Sequence, residues 1–172
     1  MAKSAGGVRN VSVGSTAYKS RLAEVVAMKA SGKYSSVEMA NNGTGWVAIE
    51  KSPKKHKPEE IEAAHHLANK GYKVTLTNEA GSNVVKEGKI FKASFEQRTP
   101  TAEGEKGVNK ALEHAKKKDA DIAVIYDKYR TYNRTEIEAG IRRYESFNKK
   151  HRFKKIIVVG STGNVHVHTH NN

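Results

Sequence analysis

The stretch that decides the fold is residues 82–100, SNVVKEGKIFKASFEQRTP. Two short apolar runs, VV at 84–85 and IF at 90–91, flank the polar residues 86–89. This arrangement predicts a β-hairpin with its turn at 86–89. The pattern continues as far as Arg98, so we expect a long second strand with polar side chains on one face.

The composition predicts a polyanionic partner. Lys and Arg together number 31 against 18 Asp and Glu, which gives a formal charge of +13 over 172 residues. Such an excess favours nucleic acid first, and an acidic protein or an anionic membrane surface next. We expect no membrane partner, because no predicted helix pairs a basic face with large exposed apolar residues.

The residue types also exclude some classes of protein. There is no cysteine, so disulfides and thiolate metal sites are excluded. No run approaches the roughly 20 apolar residues of a membrane span, and the first residues lack the apolar run of a signal peptide. We therefore expect a cytoplasmic protein.

The chain is predicted to have three parts. Residues 1–15 are small and polar, which is typical of a flexible arm. Residues 16–52 show a helical pattern followed by an Asn-Gly hairpin signal, and they form an N-terminal helix and hairpin lobe. Residues 51–58, KSPKKHKP, form a basic linker bounded by proline, and residues 53–172 form the α/β core.

The periodicity of the core predicts helix, three strands, helix, strand, helix, strand, strand. Thr135 and Glu138 have the spacing of a capping box for the third of these helices. This order predicts a mixed central sheet flanked by helices, in which strands joined by helices run parallel. The fold class is therefore α/β with an N-terminal helix-hairpin extension.

Two segments resemble a known nuclease superfamily. EIEAAHHLANKGYKV (60–74) followed by NVVKEGKIFKASF (83–95) is similar to the core of PD-(D/E)xK, or restriction endonuclease-like, proteins. More narrowly, these segments resemble the C-terminal tRNA-nuclease toxin domains of contact-dependent growth inhibition proteins and related phage-associated modules. The likeness covers about residues 46–168, and it implies a restriction endonuclease-like fold.

The resemblance also implies where a metal site would lie. In such families an Asp is followed nine positions later by an acid and two further on by a Lys, and the acids bind the metal that activates water. Counted from a turn at 86–89, these positions fall on Asn83, Lys92 and Ser94. Both acids are missing on this count, and a neutral amide and an ammonium cannot hold magnesium.

Other acids could replace the missing ones. Glu60 lies on the first core helix, Glu87 on the predicted turn and Glu96 on the long strand. A magnesium site would need them, and a solvated surface role is the alternative for each. We otherwise expect no metal.

The polar face of the long strand is the predicted catalytic face, and it carries Lys92, Ser94 and Glu96. His65, on the first core helix, is a further candidate for acid–base catalysis. A buried histidine without a catalytic role is the alternative for His65. The predicted phosphate-binding side chains are Lys86, Lys89, Lys92, Arg98, Lys106 and Lys110. Lysines that block aggregation at a sheet edge would give the same pattern.

Three histidines alternate near the end of the chain, at His166, His168 and His170, and would share one strand face. Such an arrangement is a candidate for zinc or nickel.

Two functions agree with these observations. The first is a nucleic-acid-binding domain of the toxin-nuclease kind, RNA ahead of DNA, with a degenerate or rebuilt nuclease centre. If it is an enzyme, it is an endoribonuclease or another phosphodiesterase. The alternative is a structural or interaction protein of a phage or mobile element, which keeps the scaffold without catalysis and faces an acidic partner such as an immunity protein.

Overall fold

The computed structural model describes residues 8–78 and 86–169. They form two compact units, of which the first is Val8–Ala93 and the second begins at Ser94. The strands form mixed β-sheet and the helices flank it, so the α/β class predicted from the sequence is confirmed. Within the described ranges no helix has the length and apolar character that a bilayer span requires.

The first unit contains α1 (Thr16–Ala30), β1 (Tyr34–Met39), β2 (Trp46–Glu50), α2 (Pro58–Asn69), β3 (Lys73–Leu76) and β4 (Gly88–Ile90). The strand order is β1-β2-β3-β4. β1 and β2 are antiparallel, as the Asn-Gly signal predicts, and β2 and β3, which α2 connects, are parallel. β4 runs antiparallel to β3.

Helix α1 packs on the β1–β2 strand pair. Its buried Val25 contacts Val37, Trp46 and Ala48 in one apolar cluster. Glu24, on the same helix, accepts hydrogen bonds from Trp46 Nε1 at 2.9 Å and from Lys73 Nζ at 2.7 Å. Burial raises the pKa of Glu24, but these bonds outweigh it and hold the pKa below its usual 4.5.

Helix α2 begins at Pro58, which suits a first helical position because proline lacks a backbone N–H. It buries Leu67 and Ala68 and ends before Gly71, whose φ of +96° favours glycine. The chain before α1 is tied to this region, since Asn10 Nδ2 donates to the Asn69 carbonyl at 2.9 Å. The division into arm, lobe and core stays a prediction.

The second unit contains β5 (Ala93–Arg98), α3 (Gly104–Lys117), β6 (Ile122–Asp127), α4 (Arg134–Phe147), β7 (Lys155–Gly160) and β8 (Val165–His168). The strand order is β5-β6-β7-β8. The two pairs joined by helices, β5–β6 and β6–β7, are parallel, and β7–β8 is antiparallel. β6 is buried along its whole length, as its continuous apolar run predicts.

Helices α3 and α4 pack against each other and against β6 and β7. Val108 and Leu112 of α3 share one buried cluster with Ile141 and Tyr144 of α4. The helices approach closely at Gly140, where an added Cβ would lie 2.5 Å from the Val108 Cβ. A residue without a side chain is therefore required at this contact.

The predicted hairpin turn at 86–89 is wrong. Gly88 and Ile90 pair with Leu76 and Val74 of β3, so the segment is a strand, and the chain turns instead at Phe91 and Lys92. The backbone ladder with β3 supplies hydrogen-bond partners for this segment, and it outweighs the local turn signal of the sequence. Val84 and Val85 lie outside the described residues.

The predicted capping box of α4 is also misplaced. Asn133 is the N-cap, and its Oδ1 accepts from the Glu136 N–H at 2.9 Å. Glu136 Oε1 in turn accepts from the Asn133 N–H at 3.2 Å. Asn is a stronger N-cap than Thr, so the helix begins before the predicted pair at Thr135 and Glu138.

Candidate functional site

Three ionisable side chains meet in the interior of the first unit. His56 Nδ1 lies 3.3 Å from Glu60 Oε2 and 3.3 Å from Glu87 Oε1. The side chains of His56 and Glu87 are each 2% exposed, and that of Glu60 is 15% exposed. We call these three residues the His56 cluster. Its three possible metal-ligand atoms all lie within 4.8 Å of one another, and among the described residues no other group of three His, Asp or Glu side chains does so.

Each member of the cluster comes from a different piece of backbone. His56 lies in the linker, Glu60 in the first turn of α2, and Glu87 immediately before β4. The end of β3 holds two of them in place. The Thr77 carbonyl accepts from His56 Nε2 at 2.9 Å, and the Thr77 N–H donates to the Glu87 carbonyl at 3.0 Å.

The electrostatics of the metal-free cluster are those of a cation between two anions. Hydrogen bonds to Glu60 and then Glu87 raise the pKa of His56 to about 10, against the lowering effect of burial. Burial raises the pKa of Glu60, but its contacts with His56 and Glu87 and with the Lys57 N–H hold it well below its usual range. Without a metal, the His56 imidazole is therefore protonated at neutral pH.

The two distances also fit a pair of metal ligands. A charged N–H···O bond is normally about 2.7–2.9 Å long, which is shorter than the 3.3 Å found here twice. Two ligand atoms bound at about 2.0–2.2 Å to one ion lie roughly 2.8–3.1 Å apart in octahedral geometry and roughly 3.3–3.6 Å apart in tetrahedral geometry. Both imidazole–carboxylate distances are therefore within the range of a one-histidine, two-carboxylate metal site, and all three ligand atoms lie within 4.8 Å of one another.

The surrounding hydrogen bonds also suit a metal site. Because His56 Nε2 donates to the Thr77 carbonyl, Nδ1 is the nitrogen that faces the carboxylates. Metal-binding histidines commonly use the second nitrogen in this way, which fixes the ring and its tautomer. Glu60 Oε2 accepts from the Lys57 N–H at 2.8 Å, so this carboxylate is oriented as well.

The predicted catalytic residues of the long strand lie elsewhere. Ser94 and Glu96 lie on β5, whereas Lys92 is an exposed residue of the preceding turn and not part of the strand. Ser94 Oγ accepts from the Asp121 N–H at 3.0 Å, which gives it a structural partner. Glu96 is buried and lies 3.1 Å from His114 Nε2. Asn83, the first position of the predicted acid pattern, lies outside the described residues.

The remaining predicted residues are mostly on the surface. His65 is half-buried on α2 and is not part of the His56 cluster. Lys86 is half-buried beside Glu87. The other predicted phosphate-binding residues are exposed: Lys89 on β4, Arg98 at the end of β5, and Lys106 and Lys110 on α3. Their role in binding nucleic acid stays a prediction.

The predicted histidine group near the end of the chain has two described members, His166 and His168, both on β8. Within residues 8–78 and 86–169 they form no group of three ligand residues, and His170 lies outside these ranges. Burial lowers the pKa of His168, which lines a small cleft with Tyr144 and His151.

The sequence offers His56 only as a weak acid–base candidate within a basic linker, and it predicts no metal-binding role for this residue. The residue sits in a run of lysines between two prolines, which is typical of an exposed linker. The sequence does contain one signal. Apart from Ser52 and the two prolines, His56 is the residue of this run that is not a lysine, and it precedes Glu60 by four positions, which is one helical turn. Only the folded chain brings Glu87 to the same place.

Comparison with known proteins supports the fold. No family model matches this sequence, and no curated protein matches it. The structure is similar to a chain of the CdiA-CT/CdiI toxin and immunity complex from Burkholderia pseudomallei, with a TM-score of 0.55 and 20% sequence identity. The similarity covers 71% of this chain and 98% of that chain. This chain therefore has a fold that also occurs in a chain of a toxin and immunity complex.

Proposed function

We propose that this chain is an RNA-directed domain of the toxin-nuclease kind, with a rebuilt centre at the His56 cluster. The observation that carries the proposal is the spacing of His56, Glu60 and Glu87, at 3.3 Å and in the interior. The formal charge of +13 supports a polyanionic substrate. The fold shared with a chain of a toxin and immunity complex agrees with this class.

The corrected position of the turn also changes the comparison with PD-(D/E)xK nucleases. The assignment of Asn83 and Lys92 to the two acidic positions of that superfamily assumed a turn at 86–89. If Glu87, at the start of β4, takes the first acidic position, the family interval of nine residues leads to Glu96, and two further leads to Arg98. The sequence then has the acid–acid–cation spacing of that superfamily, with arginine for lysine, but Glu96 pairs with His114 and is not a member of the His56 cluster, so the proposed centre does not depend on this spacing.

The cluster can hold a divalent ion through one imidazole nitrogen and two carboxylates. Such a donor set suits Mn²⁺ or Zn²⁺ more than Mg²⁺, which prefers oxygen ligands alone. A bound ion would supply an activated water and neutralise charge on the scissile phosphodiester. The protein's own residues would fix the ligands, since Thr77 orients His56 and the Lys57 N–H orients Glu60.

The test is incubation of the purified protein with total RNA and with tRNA, in EDTA, Mg²⁺, Mn²⁺ or Zn²⁺. We expect cleavage that needs a divalent ion and that Glu60→Gln or Glu87→Gln abolishes. Glu59→Gln is the matched control, because it removes the neighbouring carboxylate from the same helix turn and leaves the cluster intact. Cleavage that persists in EDTA, or survives in both cluster variants, would refute the proposal.

One observation favours a second function, an interaction protein without catalysis. Without any ion, His56 pairs with both carboxylates and is bound to the Thr77 carbonyl, so the cluster also serves as an internal ion network that ties the linker to the end of β3. A partner such as an immunity protein would agree with the complex that contains the similar chain. A stable stoichiometric complex, together with no cleavage in any metal, would favour this function.

A further inference from the structure

The linker that supplies His56 has a second property. Residues 51–57, KSPKKHK, contain four lysines and no acid. Lys51, Lys54, Lys55 and Lys57 are all exposed, whereas His56 is buried. The same short segment therefore sends one side chain into the interior and presents a row of cations to solvent.

The linker backbone is held in one conformation. The Lys51 N–H donates to the Lys33 carbonyl at 3.1 Å, and Ser52 Oγ donates to Asn78 Oδ1 at 2.9 Å. At the other end, His56 is fixed to the Thr77 carbonyl. Pro53 restricts the backbone between these points. A segment ordered in advance loses little conformational entropy when it binds a ligand.

The cations lie close to the candidate centre. Lys55 and Lys57 flank His56 directly, and consecutive Cα atoms are about 3.8 Å apart, so their side chains begin within roughly 4 Å of the His56 backbone. The Lys57 N–H lies 2.8 Å from Glu60 Oε2, and Glu60 is the member of the cluster whose side chain is partly exposed, at 15%. An anionic chain on the surface beside Glu60 would therefore lie close to the lysines of this segment.

We propose that residues 51–57 are the phosphate-backbone clamp that holds single-stranded RNA at the His56 cluster. This inference rests on the proposed function, whose centre the clamp would serve. RNA is favoured over an acidic protein because a centre for phosphodiester cleavage and its backbone contacts must act on the same strand. Lysines contact phosphates as point charges, so the clamp binds without reading sequence.

The test compares two triple variants of equal charge. The linker variant is K51Q, K55Q and K57Q, and the control is K19Q, K29Q and K70Q, which removes three exposed lysines from α1 and the end of α2. Binding of a fluorescein-labelled single-stranded RNA oligonucleotide is measured in EDTA over a series of salt concentrations. EDTA prevents metal-dependent cleavage of the probe.

We expect the linker variant to flatten the slope of log K against log salt by about 2, because each phosphate contact on a single strand contributes about 0.7. The control should flatten it by less than half as much. Equal slopes for the two variants would overturn the clamp. A linker-dependent loss of poly-glutamate binding with unchanged RNA binding would also overturn it, and would assign the segment to an acidic protein partner.

A third measurement separates this inference from the proposed function. The linker variant should bind Mn²⁺ at least as tightly as the wild type does, because its three substitutions leave the cluster side chains in place and remove positive charge near them. If the wild type neither binds the metal nor cleaves RNA, the proposed centre fails whatever the slopes show. If the wild type does both and the slopes of the two variants are equal, the clamp alone fails.

Discussion

Glu87→Gln is the most direct test of the candidate centre, since it removes one carboxylate charge and keeps the shape of a side chain that is 2% exposed. If the wild type binds Mn²⁺, a free concentration of about 100 times Kd stabilises the fold by about 2.7 kcal/mol. For a chain of this size, 1 kcal/mol raises Tm by about 2–4 °C, so we expect a rise of about 5–11 °C.

The variant should lose most of this rise. Losing an outer contact of a metal site costs about 10–100-fold in affinity, so losing a ligand should cost at least about 100-fold. At the same Mn²⁺ concentration the remaining stabilisation is about 0.4 kcal/mol, which corresponds to a rise of about 1–2 °C.

The assay is thermal unfolding followed by circular dichroism, after dialysis against EDTA and then titration with MnCl₂. Each rise is measured against the same protein in EDTA, so a change in the intrinsic stability of the variant cancels. Glu59→Gln, in the same helix turn as Glu60, should keep the full rise. An equal rise in Glu87→Gln and the wild type would show that Mn²⁺ binds elsewhere, and no rise in the wild type would refute the metal site itself.

Four further predictions concern the cluster and the scaffold. His56→Ala should cost about 3–5 kcal/mol in EDTA, because it removes the cation between two acidic side chains that are largely shielded from water, and His56→Lys should recover part of that loss without restoring Mn²⁺ binding; equal stability of the two variants would contradict this. Asn133→Ala should cost about 1 kcal/mol through loss of the α4 N-cap, measured by urea unfolding, and Asn133→Ser should cost much less. Gly140→Ala should cost about 1–3 kcal/mol because its Cβ would meet Val108 at 2.5 Å, and combining it with Val108→Ala should reverse part of this; additive losses would refute the contact. The lowered pKa of Glu24 gives stability that is present above about pH 4.5 and is lost as pH falls through the lower folded value, so unfolding of Glu24→Gln should depend less steeply on acid pH than that of the wild type; parallel curves would contradict this.

Most of the fold could be predicted from the sequence because the strongest signals were local. The apolar run DIAVIYD at 121–127 gave a strand buried along its length, and Pro58 and Gly71 marked the two ends of α2. The hairpin turn could not be predicted, because a Glu-Gly pair between apolar residues is a turn signal only when no neighbouring strand pairs with it. Here β3 pairs with Gly88, which the local sequence does not reveal.

The candidate site could be predicted only in part. The sequence identifies Glu60 and Glu87 as possible replacements for the missing acids, but it does not show that the two side chains meet. Their meeting depends on contacts between residues 21–31 positions apart, such as His56 with Thr77 and with Glu87. No local pattern encodes such a contact, and the lysines around His56 give no sign that its side chain is buried.

The energetics of the His56 cluster argue for a role beyond stability. Moving charged groups out of water costs several kcal/mol for each ion, and replacing a buried ion network with well-packed apolar side chains is often neutral or stabilising. The first unit already buries an apolar cluster through α1 and a second set of apolar residues through α2, so packing alone does not require His56, Glu60 and Glu87 in its interior. Three titratable groups held at this cost, beside the most basic segment of the unit, are what a site for a cation and an anionic strand would need.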